Sequence, residues 1–459
     1  MAVVLPFAAL RYDERKVGAL ENVVTQPFDK ITAEMQQEYF RRSPHNYARL
    51  IKGEIRPGDT PVDNVYTRAA AWLRDWRGRG ILAHRKTPAV PAFYAYYQKF
   101  APPETPGGST LVRKGFIGLG RLEPYDRGVI FPHEQTHAAA KADRLELLRA
   151  TRAHLESIFL LYSDPERRIE ALLDQQTERP PTTSVVDEYG VEHTLWDVEE
   201  PETIRAVQQA MADKKLIIAD GHHRYQTALN FERECRATHP GRDADCSYAM
   251  MTFVNMESDG IVILPTHRLL AGLEGWNSKG FLKAAEEYFS IARFPFASEA
   301  ERQGAAQRLR AEMDAQRGTR KEAETAATGA TAFGALFQGD NAFYCLTQRP
   351  DVAWESLLPN LTPAERSLDV TVLHRIAFGL CLGMDEEAVR QEKHLSYVRQ
   401  FEEGIGGVAR GASQACFFLS PVKIQQVRDI AFAGRVLPQK STDFYPKLLS
   451  GLVLYPLEH

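Results

Sequence analysis

The sequence has few cysteines, no long apolar run and no strong excess of charge of either sign. Five cysteines occur among 459 residues and none forms a CxxC pair, so a disulfide framework or a cysteine zinc site is not expected. We expect reduced, mostly buried thiols. Crossing a bilayer takes about 20 apolar residues, and no run approaches that length. A net charge of −4 argues against broad nucleic-acid binding.

The first residues also lack the basic leader and the small-residue cleavage site of a secretory signal, so we expect a cytoplasmic protein. The last three residues, 457–459, are typical of an expression-tag remnant. Hydrophobic and charged fractions of 44% and 25% are those of an ordinary globular protein. The sequence therefore favours a globular enzyme or binding protein that acts on small molecules.

Helix and strand patterns alternate irregularly along the chain. Thr32 is placed to cap a helix from Ala33, residues 92–100 form an aromatic strand-like run, and 182–198 predict a hairpin. The amphipathic stretch 141–162 predicts a helix. Because strands and helices do not alternate as simple βαβ units, we expect a mixed α/β (α+β) fold.

We divide the chain into an amino-terminal α+β region (1–125), a core (126–270) and a carboxy-terminal α/β region (271–456). The division follows the position of the motifs that carry chemistry. Two of these motifs fall in the core and the third lies near the end of the chain.

The stretch LIIADGHHRYQTAL, residues 216–229, predicts a strand followed directly by a helix. Gly221 permits a sharp turn there. The first N–H groups of a helix lack intrahelical acceptors, and His222, His223 and Arg224 add donors and positive charge. Such a junction suits a phosphate. The alternative is that Asp220 simply caps the helix, with solvated cations behind it.

The stretch FPHEQTHAAAK contains an H-E-x-x-H pattern. On a helix, His133 and His137 would hold zinc while Glu134 acts as general base, with Glu156 or His154 as a third ligand. The proline before the motif and the small, polar residues after it argue against a buried zinc helix. A zinc-dependent hydrolase stays an alternative, as does a surface helix start.

A second interpretation joins this motif to the strand–helix junction. Phosphoryl transfer to an alcohol needs a base, cations around the transferred group and usually Mg²⁺. Glu134 supplies the base. In the late stretch LPQKSTDFYPKL, Lys440 would neutralise phosphate, while Ser441, Thr442 and Lys447 would bind the substrate.

The motifs together resemble the DUF1015 family, nearly end to end. The stretches that carry the resemblance are LPFAALRYD, TQPFDKIT, SPHNYARLIKGE, PHEQTHAAAKADR, ADGHHRYQTAL, IVILPTHRLL, LDVTVLHRI and LPQKSTDFYPKLLSGLV. That family is similar to the free serine kinases, whose fold is related to ParB and sulfiredoxin. The resemblance implies a ParB/sulfiredoxin-like core and a kinase that converts L-serine to O-phosphoserine with ATP or ADP and Mg²⁺.

The resemblance also assigns roles to residues of this chain. Glu134 would be the catalytic base, and the late loop around Lys440 would lie beside the active site. Asp220 is assigned to catalysis and to positioning Mg²⁺. The residues assigned to the nucleotide phosphates are Gly221, His222, His223, Arg224 and Lys440, of which His223 and Arg224 also assist catalysis.

The sequence departs from the serine kinases at two positions of the late loop. Ser441 replaces a threonine, and Phe444 stands where a histidine that reads the serine carboxylate is expected. Asp29 is a further candidate for the site, although we favour a turn-capping role. His267 and Arg268 are candidates for further phosphate contacts, although we favour a buried polar pair at a strand end. A non-catalytic nucleotide-binding switch remains an alternative function.

Overall fold

A computed structural model describes residues 1–103, 109–135, 138–238, 246–318 and 331–457. The strands, numbered along the chain, are β1 Val4–Leu5, β2 Arg11–Tyr12, β3 Leu82–Ala83, β4 Phe93–Phe100, β5 Leu111–Arg121, β6 Ile130–Phe131, β7 Ala153–His154, β8 Ile158–Tyr162, β9 Thr183–Val186, β10 Glu192–Val198, β11 Leu216–Asp220, β12 Tyr248–Asn255, β13 Val262–Leu264, β14 His267–Leu270, β15 Phe289–Pro295, β16 Ala332–Phe337, β17 Ala342–Gln348, β18 Leu395–Val398, β19 Ala415–Phe418, β20 Asp443–Tyr445 and β21 Tyr455–Pro456.

The helices are numbered in the same way. They are α1 Glu14–Val17, α2 Ala33–Arg42, α3 Ala48–Ile51, α4 Val65–Gly78, α5 Ala138–Thr151, α6 Arg168–Thr177, α7 Pro201–Met211, α8 His222–Thr238, α9 Ser278–Ala285, α10 Glu299–Gly318, α11 Trp354–Leu357, α12 Pro363–Arg366, α13 Asp369–Val372, α14 Glu386–Arg390, α15 Phe401–Ala409 and α16 Ile424–Phe432. A π-helical turn, Leu373–Leu380, continues α13.

The chain divides into two compact units. The first unit comprises Met1–Val262 together with Phe444–His459, and the second comprises Ile263–Asp443. The last segment of the chain therefore returns to the first unit after the second is complete. Regions 1–125 and 126–270 both contribute strands to one sheet of the first unit, and the division into three regions stays a prediction about domain organisation.

A mixed sheet of nine strands, within the described residues, organises the first unit. Its order is β6-β11-β8-β12-β5-β4-β10-β9, with β1 beside β5. β6 runs parallel to β11, and β8 runs parallel to β12, whereas the other neighbours are antiparallel. The mixed α/β class predicted from the sequence is confirmed.

Both faces of this sheet are covered, which explains its apolar strands. Along β4, Tyr94 and Tyr96 join the cluster beneath α4, while Phe93 and Tyr97 join the cluster on the opposite face. This period of two is the one that a strand imposes on its side chains. Tyr225 of α8 packs into the second cluster and so fixes that helix against the sheet.

The predicted helix over 141–162 is wrong in its second half. The helix ends at Thr151, and the segment continues as β7 and β8. Every residue of β8 is buried because the strand lies between β11 and β12, and a run covered on both faces carries no alternation to distinguish it from a buried helix. The cap at Thr32 and the 182–198 hairpin are found as predicted.

The cysteine prediction also needs a correction. Cys235 and Cys246 form a disulfide, with Cα atoms 6.5 Å apart. Neither the number of cysteines nor the absence of a CxxC pair indicates this pairing. The disulfide forms because the fold brings Cys235, in α8, close to Cys246, just before β12. Leu457, which the sequence placed in a tag remnant, is buried against Leu148 and Phe231 beside this disulfide.

A sheet with the order β15-β17-β16-β19-β14-β18 forms the second unit. α10 and α15 cover one face through Leu309, Phe401 and Ile405. On the opposite face, Phe417 of β19 contacts Phe281 of α9. This unit is also a mixed arrangement of helices on a sheet, and residues 319–330 lie outside the described residues.

Gly115 tests the packing of β5 against β12. A Cβ at this position would lie 2.6 Å from the carbonyl oxygen of Phe253, which is backbone and cannot rotate away. Gly115→Ala should lower the free energy of unfolding of the first unit by about 1–3 kcal/mol, measured by urea unfolding with hydrogen exchange in β12. Gly58→Ala is the matched control, because nothing lies within 4 Å of its Cβ. Equal stability of the two variants would contradict this packing.

Candidate functional site

Three strand ends meet at one edge of the first unit's sheet. β6 and β11 are parallel, so their carboxyl ends lie side by side, and the antiparallel β8 begins at the same edge. Pro132–Gln135 follows β6, Asp220 ends β11 and is followed by Gly221, and Glu156–Ser157 precedes β8. The two motifs of the core are therefore neighbours, although 86 residues separate Glu134 from Asp220.

Gly221 makes the turn between β11 and α8 in the left-handed region, with φ +91°. A Cβ there would lie 3.1 Å from the Arg224 guanidinium, which folds back over the turn. Tyr225 N donates to the Gly221 carbonyl at 2.9 Å, so the helix closes its first turn immediately. The strand–helix junction predicted from the sequence is confirmed.

Asp220 accepts from two cations at once. Arg224 Nη2 donates to Oδ2 at 2.7 Å, and Lys447 Nζ donates to Oδ1 at 3.3 Å. The three side chains keep between 13% and 21% of their surface exposed, so the triad remains in reach of a small ligand. Although burial raises the pKa of Asp220, Lys447 and Arg224 outweigh it and lower that pKa to about 2.

Two further carboxylates surround Arg224. Loss of solvation and the charge of Asp220 raise the pKa of Asp29, whose side chain lies at the exposed rim. Burial raises the pKa of Glu156, which accepts from Phe28 N at 3.1 Å. Although burial lowers the pKa of Arg224, the three carboxylates together raise it. The net charge of this cluster is thus close to zero or negative, and the cluster carries no excess of positive charge.

Two histidines connect the motifs directly. His133 N donates to His222 Nε2 at 3.3 Å, and their rings lie edge to face at 4.6 Å. His133 Nδ1 donates to the Ile218 carbonyl. Burial lowers the pKa of His133 to about 4 and that of His222 well below 6.5. The positive charge expected at His222 is therefore absent, and its neutral ring carries its proton on Nδ1.

The segment that carries Lys447 is held by two buried side chains of the sheet. Arg113 donates to the Tyr445 carbonyl at 3.2 Å and to the Pro446 carbonyl, and Gln98 Nε2 donates to the Lys447 carbonyl at 2.8 Å. Arg113 and Gln98 also bond each other at 3.0 Å. Sequence reasoning missed both residues, because nothing local marks a strand residue whose partners lie over 330 positions away.

Phe444 occupies the position at which the resemblance leads one to expect a histidine. Its ring lies 5.9 Å from His133 and 5.8 Å from Phe159, and it is buried. The residue supplies an apolar wall behind the histidine pair. The histidine that the resemblance leads one to expect as a carboxylate contact is replaced here by an apolar side chain.

Glu134 follows His133 directly and is half-buried, and His223 is half-buried in the first turn of α8. Of the late-loop residues, Lys447 belongs to the first unit, whereas Lys440, Ser441 and Thr442 belong to the second. There Lys440 is exposed, Thr442 is half-buried, and Ser441 is buried with its hydroxyl donating to the Pro438 carbonyl. The assignments of these residues to substrate and phosphate stay predictions.

The zinc alternative depends on His137, which lies outside the described residues. Within the described residues, no group of three or more histidine, cysteine, aspartate or glutamate side chains is arranged to hold a metal ion. The suggested third ligands have other contacts, since His154 stacks on Tyr455 and Glu156 also accepts from Ser450 Oγ at 3.3 Å.

In the described ranges, no helix is both long and apolar enough to span a bilayer.

The fold and the site together define a mixed α/β protein with a charged strand–helix junction at a sheet edge. The chain belongs to the family described as a protein of unknown function, DUF1015, whose model matches residues 4–371. The resemblance found in the motifs is thus confirmed. No curated protein matches the chain.

Solved structures show a distant likeness. One is a free serine kinase in complex with AMP, at 12% identity and TM-score 0.34, covering 72% of this chain and 88% of that one. A conserved hypothetical protein from Pyrococcus furiosus has 12% identity, TM-score 0.32 and coverage of 71% and 92%. SbnI from Staphylococcus aureus, truncated at its C-terminus, has 9% identity, TM-score 0.32 and coverage of 74% and 87%. At such low similarity, function must be argued from the site itself.

The buried histidine pair predicts a pH-dependent stability. The folded-state pKa of His133, about 4, lies below its ordinary 6.5, so the stabilisation is present above pH 6.5 and is lost as the pH falls toward 4. The loss attributable to His133 should reach about 3 kcal/mol. Urea unfolding of the first unit between pH 7 and pH 4.5 should show a shallower pH dependence in His133→Asn. His394→Asn, in the second unit, serves as the control, and an unchanged slope in His133→Asn would contradict the buried neutral ring.

Proposed function

We propose that this protein transfers a phosphoryl group from ATP or ADP to the hydroxyl of a small substrate, with free L-serine as the substrate that the motif resemblance implies. The observation that carries the proposal is the contact between the two core motifs, His133 N to His222 Nε2 at 3.3 Å. Glu134 follows His133 directly in the chain. The residue assigned as base and the junction assigned to phosphate are therefore held to the same edge of the sheet, which supports the proposal.

Glu134 is assigned the role of general base. Its carboxylate accepts the proton of the substrate hydroxyl as that oxygen forms a bond to the transferred phosphorus. The bond between this phosphorus and the leaving nucleotide oxygen breaks, and the electron pair leaves with the nucleotide. Atoms and charge balance without any oxidant or further reactant.

The charge of the site favours binding the phosphates through a metal ion as well as through protein donors. Arg224 and Lys447 are already paired with Asp220, so they are not free counter-charges for a polyphosphate. Oxygen ligands such as the carboxylates of Asp220 and Asp29 suit Mg²⁺. When bound, Mg²⁺ would supply positive charge to the phosphate oxygens. The first N–H groups of α8, which begins at His222, suit the same anion.

The remaining donors are assigned by the order of the motifs. His223, half-buried in the first turn of α8, is assigned to the phosphates together with Gly221 N. Lys440 is assigned to neutralise the transferred group. Ser441 and Thr442 are assigned to the substrate, an assignment that rests on the motif resemblance alone.

Turnover of the full chain tests the proposal. Purified protein incubated with L-serine, Mg²⁺ and either ATP or ADP should yield O-phosphoserine, detected by mass spectrometry. Glu134→Gln should lower turnover by about 100-fold or more while nucleotide affinity stays nearly unchanged, because the amide cannot take the proton. Glu178→Gln, on the exposed end of α6, is the matched control and should keep full activity.

Three outcomes would contradict the proposal. Unchanged turnover in Glu134→Gln would remove that residue as the base. Nucleotide binding without any phosphorylated product, across serine and other small alcohols, would favour a nucleotide-binding switch instead. Stoichiometric zinc that is lost in His137→Ala would favour the hydrolase.

A further inference from the structure

A small polar cleft lies entirely within the second unit. It opens at the start of β14, between the loop before α13 and the loop after β19. The polar side chains among its lining are Thr266, Arg268, Ser367, Asp369, Ser420 and Ser441, joined by Gln426 of α16.

Arg268 is the charged group at the base of this cleft and is only 1% exposed. Its guanidinium donates to the Lys440 carbonyl at 3.1 Å, to the Gln439 carbonyl at 3.3 Å and to the Thr266 carbonyl. Among the described residues, no carboxylate lies within ion-pair distance of it, and its Nε has no hydrogen-bond partner. Burial lowers the pKa of Arg268 to about 10, so it stays charged at neutral pH.

A buried guanidinium without a counter-ion is costly, because the surrounding carbonyl dipoles do not neutralise it. Two titratable groups that couple electrostatically to Arg268, His374 and Tyr397, do not neutralise its charge. Burial lowers the pKa of His374, and Arg268 itself lowers it further, so this ring is neutral. Tyr397, over whose ring Arg268 lies at 5.5 Å, is an uncharged partner. The part of the chain that the structure describes therefore offers Arg268 no counter-ion, and a bound anion would supply one.

The lining indicates which kind of anion fits. One guanidinium balances a single negative charge, and Asp369, half-buried on the same cleft, disfavours a dianion. The serine and threonine hydroxyls suit neutral oxygen and nitrogen groups of the same ligand. We infer that this cleft binds a small carboxylate, with the carboxylate group at Arg268. The inference goes beyond the proposed phosphoryl transfer and shares with it only Ser441, which lines this cleft and is assigned to the substrate in the proposed function.

Binding of small carboxylates to the full chain tests the inference. Isothermal titration with L-serine, L-alanine and L-lactate should detect binding of at least one of them, and inorganic phosphate should bind far more weakly. Ser420→Leu fills the cleft without touching the contacts of Arg268, and it should weaken binding by about 10-fold or more. Arg268→Gln should do the same through loss of the charged donor.

The controls separate this inference from the proposed function. Ser356→Leu makes the same change at an exposed position of α11 and should leave binding intact, as should Asp220→Asn in the first unit. No binding by any of the three carboxylates would overturn the inference, as would binding unaffected by Ser420→Leu. Phosphate binding that Ser420→Leu abolishes would overturn the assignment to a carboxylate. Loss of turnover in Asp220→Asn with intact carboxylate binding supports the inference.

Discussion

The candidate site depends on the Asp220 carboxylate, which accepts from Arg224 and Lys447 at the edge of the sheet. These cations come from different parts of the chain, since Arg224 lies one helical turn after the carboxylate and Lys447 lies 227 residues after it. Removing one partner from a buried ion pair leaves an uncompensated charge, which typically costs about 3–5 kcal/mol. The triad therefore ties the last segment of the chain to the strand–helix junction.

This constraint gives a physical meaning to the division of the chain. The second unit, Ile263–Asp443, is inserted before a terminal segment that belongs to the first unit. Arg113 and Gln98 hold the carbonyls of that segment, so Lys447 reaches Asp220 from a fixed backbone. The network makes the carboxyl-terminal segment part of the site's framework instead of a loose tail.

Local sequence patterns predicted the strand–helix junction, and the resemblance of separated motifs predicted the family. The charge of the site could not be predicted from the sequence. His222 is a cation by its residue type, but its burial beside His133 makes it neutral. The roles of Arg113 and Gln98 could not be found, since both depend on contacts between distant segments. β8 was assigned to a helix because a fully buried strand has no alternation.

Because the histidines are neutral and the cations are paired, the site has little unpaired positive charge with which to bind a phosphate. A site with free positive charge would attract many anions, whereas this one offers a balanced cluster with carboxylates near the rim. If the proposed function holds, we expect this cluster to bind a metal-bound nucleotide better than a bare anion. The DGHHR motif, residues 220–224, is cationic by its sequence. In the fold, His222 is neutral and the charge of Arg224 is paired with Asp220.

A crystal structure of the protein with ADP, L-serine and Mg²⁺ tests the central claim most directly. The account predicts nucleotide phosphates at the Gly221 turn, with Asp220 on the metal ion and a Glu134 oxygen within about 3 Å of the serine hydroxyl. Phosphates bound away from this turn, or a Glu134 carboxylate out of reach of the hydroxyl, would contradict it.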